Sequence, residues 1–310
     1  MLRERDVLTP DTLALLQAIA DTGSFAAAAR KLGMVPSALT YRVRQVEDAL
    51  DVLLFDRSAR QARATEAGLE LLREGARLLQ EVDAVANRVR RVATGWEPEL
   101  TIAVDGALSR TTLFELVEAF YAVAPPTRLK LKDSILSGTL EMLTSGRADL
   151  ALGIAVDAST MSGLQLRALG EMGFVCVVAP HHPLASEPQP ISDEVLRRHR
   201  IIAVADSSRA GQGVTVGVLG GQEVLTVDNM QAKLQAQLRG MGVGNLPSNM
   251  VRPYLQSGQL VQLALARESR SIRMHYAWTT TAPGRGLQWW LDQLAVPNTR
   301  DALLNNHYVA

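Results

Sequence analysis

Apolar residues in the first fifty positions recur at helical spacing and mark three short helices. Leu13, Leu16 and Ala20 line one face between Asp11 and Asp21, and Thr9-Pro10 supplies a cap followed by proline in the first turn. Thr22-Gly23 breaks that helix and Ser24 caps the next, the alanine-rich stretch Phe25 to Leu32, which Gly33 ends. Pro36 opens a third helix reaching Leu50. Its inward stripe is Leu39, Val43, Val46 and Leu50, while Ser37, Thr40, Tyr41 and Arg44 share another face.

Leu53-Leu54-Phe55 anchors a hairpin-like wing from Asp56 to Ala64 that carries Arg57, Arg60 and Arg63. Thr65-Glu66 then opens a long helix to Ala93. Leu69, Leu72, Ala76, Leu79, Val82, Ala86 and Val89 form its apolar positions, an imperfect heptad that slips by one residue near Asp83. A helix of this length between two domains has little of its own chain to cover such a stripe, so a partner helix is expected.

After Thr94-Gly95-Trp96-Glu97-Pro98 the pattern changes to alternating strands and helices: strand Leu100 to Val104, helix Thr111 to Ala122, strand Leu129 to Lys132, helix Thr139 to Ser145, strand Leu150 to Ile154. That order predicts a mostly parallel sheet with helices on both sides. The series restarts at Gly173 to Ala179 and runs through strands Arg200 to Ala205 and Val224 to Val227, helix Met230 to Arg239 and the glycine-punctuated stretch 240–247. Strand Ile272 to Thr279 and helix Leu287 to Leu294 return to the first lobe. The predicted organisation is therefore a winged helix-turn-helix over 1–64, a linker helix over 65–95 and a two-lobed α/β domain over 98–310. Lobe 1 takes 98–168 and 268–300, and lobe 2 takes 169–267.

Composition changes this picture little. At 310 residues, with 47% hydrophobic and 21% charged, the chain suits two or three folded domains without low-complexity tracts. The net charge is zero, but Arg30, Lys31, Arg42, Arg44, Arg57, Arg60 and Arg63 face only Glu47, Asp48, Asp51 and Asp56 between positions 30 and 63, leaving room for a local basic surface. No basic and apolar leader and no apolar run of spanning length is visible, so a cytoplasmic location away from membranes is expected. The single cysteine, Cys176, sits in an apolar run and reads as a buried strand residue. The five histidines show no metal-ligand spacing, and adjacent His181-His182 reads as a solvated turn. No catalytic triad setting, phosphate loop or cofactor motif appears, which favours a regulator over an enzyme. A free-standing solute-binding protein would explain two lobes but not the first 93 residues.

Gly23-Ser24-Phe25 with the following alanines, Ala38 through Glu47 with Leu50, Leu54 to Ser58, and Thr65-Glu66-Ala67-Gly68 together resemble the LysR-type transcriptional regulators. A weaker match continues through Gly146 to Ala151, His182 to Ala185 and Gly240 to Pro247. Where many family members carry Ser-Gln-Pro, this chain has Val35-Pro36-Ser37, which removes the usual hydroxyl cap. Tyr41 stands where arginine is frequent, and Ala64 where leucine is expected.

The resemblance implies a winged helix-turn-helix, a linker helix pairing two subunits and an effector domain similar to periplasmic solute-binding proteins. The implied partners are double-stranded operator DNA, the chain itself as homodimer or homotetramer, and RNA polymerase when activating. In that context Pro36, Ser37, Thr40, Tyr41 and Arg44 become the DNA-reading face, and Arg57, Arg60 and Arg63 the wing contacts with phosphate or minor groove. No cofactor is implied. A small organic effector, aromatic or a monocarboxylate, is placed by the resemblance at Ala107-Leu108-Ser109, Ile135-Leu136-Ser137, Asp206-Ser207 and Asn229-Met230. These segments follow strands, where ligands of open α/β sheets bind. Asp105, Asp133, Asp206 and Asp228 nearby argue against a multiply charged anion, with Arg110 and Arg209 as counterweights.

Overall fold

The computed structural model describes residues 3–56, 62–123, 126–155, 163–208, 215–267, 271–279 and 282–305, the side chain of Arg88 excepted. Two compact units divide the chain, Met1–Val89 and Arg90–Ala310.

The first unit comprises α1 (Glu4–Val7), α2 (Pro10–Thr22), α3 (Phe25–Lys31), α4 (Pro36–Leu50), a two-stranded wing of β1 (Phe55–Asp56) and β2 (Arg63–Ala64), and the greater part of α5 (Glu66–Thr94). Local chemistry sets the helix ends. The Thr9 hydroxyl accepts from the Thr12 amide and Pro10 enters the first turn of α2, which Gly23 closes in a left-handed conformation at φ 63°. Ser24 caps α3 through the Ala27 amide. Ala28 and Ala29 are fully buried there, their methyl-sized side chains letting α2 and α4 approach. Leu39, Val43 and Val46 of α4 meet Leu15, Leu16 and Ile19 of α2 in one core with Leu54 and Phe55.

The second unit holds β3 (Glu99–Asp105), α6 (Arg110–Val123), β4 (Arg128–Ser134), α7 (Ser137–Thr144), β5 (Leu150–Ile154) and β6 (Leu164–Val178). After a short 3-10 turn at Pro183–Ser186 come α8 (Asp193–Arg197), β7 (Ile201–Val204), β8 (Val224–Val227), α9 (Met230–Leu238), β9 (Gly244–Pro247) and α10 (Ser248–Gln256). The last elements are β10 (Val261–Leu263), β11 (Ser271–Thr279), α11 (Arg285–Ala295) and α12 (Pro297–Asn305).

Strands β4, β3 and β5 are parallel, as the βαβαβ order predicted. The rest of the large sheet is not. β11 runs antiparallel to both β5 and β6, and β6 pairs antiparallel with β9 and β10. The cause is connectivity: β6 leaves lobe 1 for lobe 2 and β11 comes back beside it, so the two neighbours must point in opposite directions. β6 pairs with β11 from Leu164 to Gly173 and with β9 from Phe174 to Val177, so one strand serves both lobes. The parallel pair β7–β8 completes lobe 2.

Lobe 1 has apolar layers on both sheet faces. Leu113 and Phe120 of α6 pack with Trp290 and Leu294 of α11 on one, and Leu140 and Leu143 of α7 pack with Ala151 and Ala277 on the other. The α11 N-terminus is held by Glu97, a buried carboxylate that accepts from the amides of Gly286 at 2.9 Å and Leu287 at 3.4 Å. That bond fixes the returning helix in lobe 1.

Candidate functional site

α4 turns a polar face outward over its buried stripe. Pro36, Ser37, Tyr41 and Arg44 are exposed and Thr40 is half-buried, while Leu39, Val43 and Val46 have no exposure. Tyr41 is 63% and Val35 64% exposed, so an aromatic ring and an apolar side chain lie on the open surface at the helix start. The N-cap residue is Val35, which offers no side-chain hydrogen bond, and Pro36 has no amide hydrogen. The first-turn amides of α4 are thus uncapped by side chains, a favourable setting for a phosphate oxygen.

The wing is tied to α4 and α5 from inside. Glu47, counted above among the acids opposing the basic surface, is buried at 6% exposure and accepts from the amides of Leu54 and Phe55. Thr65 caps α5 by accepting from Gly68, and its hydroxyl donates to the Leu53 carbonyl at 2.7 Å. A Cβ on Gly68 would stand 2.1 Å from the Leu54 carbonyl oxygen, so the Thr65-Glu66-Ala67-Gly68 motif permits a close crossing of helix and turn. Arg63 is exposed on β2, opposite Asp56 in the wing register. Arg57 and Arg60 lie outside the described residues.

Along α5 the exposed large apolar residues are Leu69, Leu78, Val82, Val85, Val89 and Val92. From Leu78 onward these large residues follow alternating steps of four and three, a second stripe beside the one that includes Leu79 and the exposed Ala86. Leu72 packs with Leu71 against the core of its own unit, and Leu79 and Ala76 are half-buried. Val85 and Ala86, both exposed, are the positions at which the two stripes differ.

In the second unit the predicted effector positions meet one another. Asp206 lies within hydrogen-bond contact of the Ser137 hydroxyl and accepts from the Gly138 amide at 3.2 Å. The Ser207 hydroxyl accepts from the Ile135 amide at 2.9 Å and donates to its carbonyl at 3.2 Å. Leu136 holds a left-handed φ of 55° and donates its amide to Asp105 at 3.2 Å.

Other predicted positions have structural duties. Ala107 and Leu108 are buried in the lobe 1 core, and buried Ser109 caps α6 through the Thr112 amide. Asn229 caps α9 through the Ala232 amide, whereas the Met230 side chain comes within 3.5 Å of where a Cβ on Gly106 would lie. A cavity of about 310 Å³ lies apart from these residues, lined by Gln165, Arg167, Trp278 and one side of α11.

Several carboxylates gather where these segments meet. Asp105 is buried, and desolvation pushes its carboxyl up to about 6 against the opposing pull of the Ala107 and Leu136 amides. Arg110 pairs with Asp133 at 2.7 Å, and Arg147 pairs with Glu141. Arg209, the other expected counterweight, lies outside the described residues. Elsewhere, His182 departs from the expected solvated turn: it is buried, its Nδ1 accepts from the Leu184 amide, and its ring packs 5.3 Å from that of His199. It caps the 3-10 turn, a use of the ring that adjacent histidines do not advertise.

This geometry can be set beside known proteins. Residues 10–69 match the family model described as "Bacterial regulatory helix-turn-helix protein, lysR family", and residues 93–296 match the "LysR substrate binding domain". The chain belongs to the LysR-type transcriptional regulators. It is 36% identical over 284 residues to the uncharacterized HTH-type transcriptional regulator YeeY of Escherichia coli strain K12, covering 92% of each chain. It is 36% identical over 294 residues to the HTH-type transcriptional regulator YhaJ of Escherichia coli O157:H7, covering 95% of this chain and 98% of that one.

Among solved structures, full-length LysG of Corynebacterium glutamicum with bound effector Arg aligns at 25% identity and TM-score 0.52, over 96% of this chain and 99% of that one. Full-length CbnR in complex with its target DNA shares the fold at TM-score 0.61 and 16% identity, over 93% and 99%. This LysR-type regulator thus joins a DNA-binding helix-turn-helix unit to an effector-binding domain.

Three residues at the contact between the lobes carry no signal in the sequence pattern. Gly138 would place a Cβ 2.0 Å from the Ser207 hydroxyl, so only glycine admits Ser207 there. Glu141 contacts the Ser208 hydroxyl. Asn249 is buried on α10, its amide donating to the Ala107 carbonyl and its Oδ1 without a partner among the described residues. Each depends on a contact across at least sixty residues of sequence, and Glu141 pairs besides with Arg147.

Proposed function

We propose that this chain reads a specific operator through the exposed α4 face of Pro36, Ser37, Thr40, Tyr41 and Arg44, with Arg63, Arg57 and Arg60 on the wing holding phosphates. The observation that carries the reading is the division of α4 into a fully buried stripe and a face of hydroxyls, phenol and guanidinium. Such groups can bond base edges in the major groove. Subunits pair along α5 as a homodimer or homotetramer, so paired half-sites lie a whole number of helical turns apart. The regulator works in the cytoplasm, performs no catalysis, and contacts RNA polymerase when it activates.

Its effector is a small organic molecule, aromatic or a monocarboxylate, held between the lobes near Ile135, Ser137, Asp206 and Met230. The arginine bound by LysG supports a small-molecule effector in this class of domain. In vitro selection from random duplexes with the purified chain, followed by footprinting, tests the DNA reading. Enrichment of a two-part motif with protected half-sites is expected, and recovery of unselected sequence would overturn it.

A further inference from the structure

The turn that opens α7 already holds two carboxylates. Asp105 accepts from the Leu136 amide, and Asp206 accepts from the Gly138 amide while contacting the Ser137 hydroxyl. Asp206 arrives from lobe 2, at the end of β7, and is fixed there by the Ser208 amide at 3.0 Å. Next to it Ser207 is clamped to both backbone groups of Ile135, and its hydroxyl occupies the space above Gly138.

An N-terminal helix turn with a hydroxyl beside it is chemically a seat for an anion. Here the anion is supplied by the chain. The nearby cations Arg110 and Arg147 are already paired with Asp133 and Glu141.

Building on the effector reading above, we propose that Asp206 is a tethered carboxylate that fills the anion seat of α7 and makes the regulator select effectors lacking a carboxylate. A free monocarboxylate must compete with one held on the same chain at high effective concentration, and must then lie beside the like charge of Asp105. An uncharged aromatic molecule meets neither obstacle. Of the two effector classes considered, the aromatic one without a carboxylate is therefore the one this cleft admits. Asp206 is accordingly a specificity-determining residue, and Ser137 and Gly138 are the groups it denies to others.

The test uses the full-length protein, its D206A, D206G and D206N variants, and acetate as the probe, with acetamide and sodium chloride at matched concentration as controls. Thermal unfolding and calorimetry are read without DNA, so the result does not depend on operator recognition. D206A is expected to unfold at lower temperature and to be restored by acetate but not acetamide or chloride, binding acetate at least about tenfold more tightly than wild type. S137A added to D206A should weaken that acetate binding. Should D206A fail to fold, D206G, which vacates the same space, is judged by the same acetate ratio, while the near-isosteric D206N keeps the seat filled and should gain no acetate binding. Equal acetate response in wild type and the vacated variant, or no acetate-specific response in the folded vacated variant, would overturn the proposal. The operator selection described above, run on wild type, decides the regulator reading separately.

Discussion

The Glu47 carboxylate, buried at the inner end of α4, accepts a 2.9 Å hydrogen bond from the amide of Leu54. This oxygen also takes the Phe55 amide, so one side chain ties α4 to the start of the wing. Glu47→Ala leaves two donors without their partner in a dry turn. Each unsatisfied group costs about 1–3 kcal/mol. Denaturant unfolding should show a loss of that size, and Glu47→Gln, which retains one acceptor oxygen, should recover part of it.

Gly68 sets two effects against each other. Alanine favours a helix over glycine by about 1 kcal/mol. The added methyl would nevertheless lie 2.1 Å from the Leu54 carbonyl oxygen, which belongs to backbone and cannot swing aside. Overpacking of this kind costs about 1–3 kcal/mol or more. Gly68→Ala should therefore lower the unfolding midpoint, whereas Gly33→Ala meets no atom within 4 Å and loses only what its φ of 66° demands.

DNA binding separates base reading from phosphate holding. Arg44→Ala should weaken a selected operator by about 1–3 kcal/mol and relax preference at one position. Replacing Arg57, Arg60 and Arg63 together should weaken operator and random duplex alike and flatten the salt dependence, because fewer counterions are released. Titrations at several salt concentrations check both. An unchanged salt slope would remove the wing from the interface.

How far the sequence could be read follows from where each signal resides. The limits of α4 were legible because Pro36 and a four-three-four stripe lie within fifteen residues. The first half of β6 was not: Leu164 to Gly173 alternates burial with exposure and carries Arg167 and Glu171, so it lacks the apolar run by which Phe174 to Val178 was recognised. α8, α10 and α12 were likewise missed, two of them carrying a proline at or within the helix. The contact between the lobes was legible only as segments that follow strands, since strand ends can be located by pattern. Its chemistry was not, because the contacts of Ser137 with Asp206 and of Asn249 with Ala107 join residues 69 and 142 positions apart.

The heptad of α5 distinguishes two seams. If subunits pair along Leu78, Val82, Val85 and Val89, then Val85→Glu buries a charge in each copy and should dissociate the assembly, whereas Ala86→Glu should not. Leu72→Glu should act differently again, lowering the stability of the first unit because Leu72 packs into that core. Sedimentation velocity and thermal unfolding of the three variants check the assignment. Dissociation by Ala86→Glu with Val85→Glu unaffected would restore the slipped register.

Asp105 makes a pH-dependent contribution whose sign follows from its burial. Desolvation raises its carboxyl from 3.8 to about 6, outweighing the favourable hydrogen bonds from Ala107 and Leu136 and the pull of Arg110. The folded state therefore binds this proton more tightly than the unfolded chain does. Stability from this group is fully present below about pH 3.8 and is lost as pH rises through about 6, where the buried charge must be carried. A rise of this size corresponds to roughly 3 kcal/mol across the window. Asp105→Asn removes the titration and keeps one acceptor oxygen for the amides at the cleft. The difference in unfolding free energy between the variant and wild type should thus shift in favour of the variant from pH 4 to pH 7 by a large fraction of that amount. Other titrating groups are common to both proteins and cancel in the difference. A difference that stays flat across this range would mean that the Asp105 carboxylate is solvated or paired well enough to ionise normally.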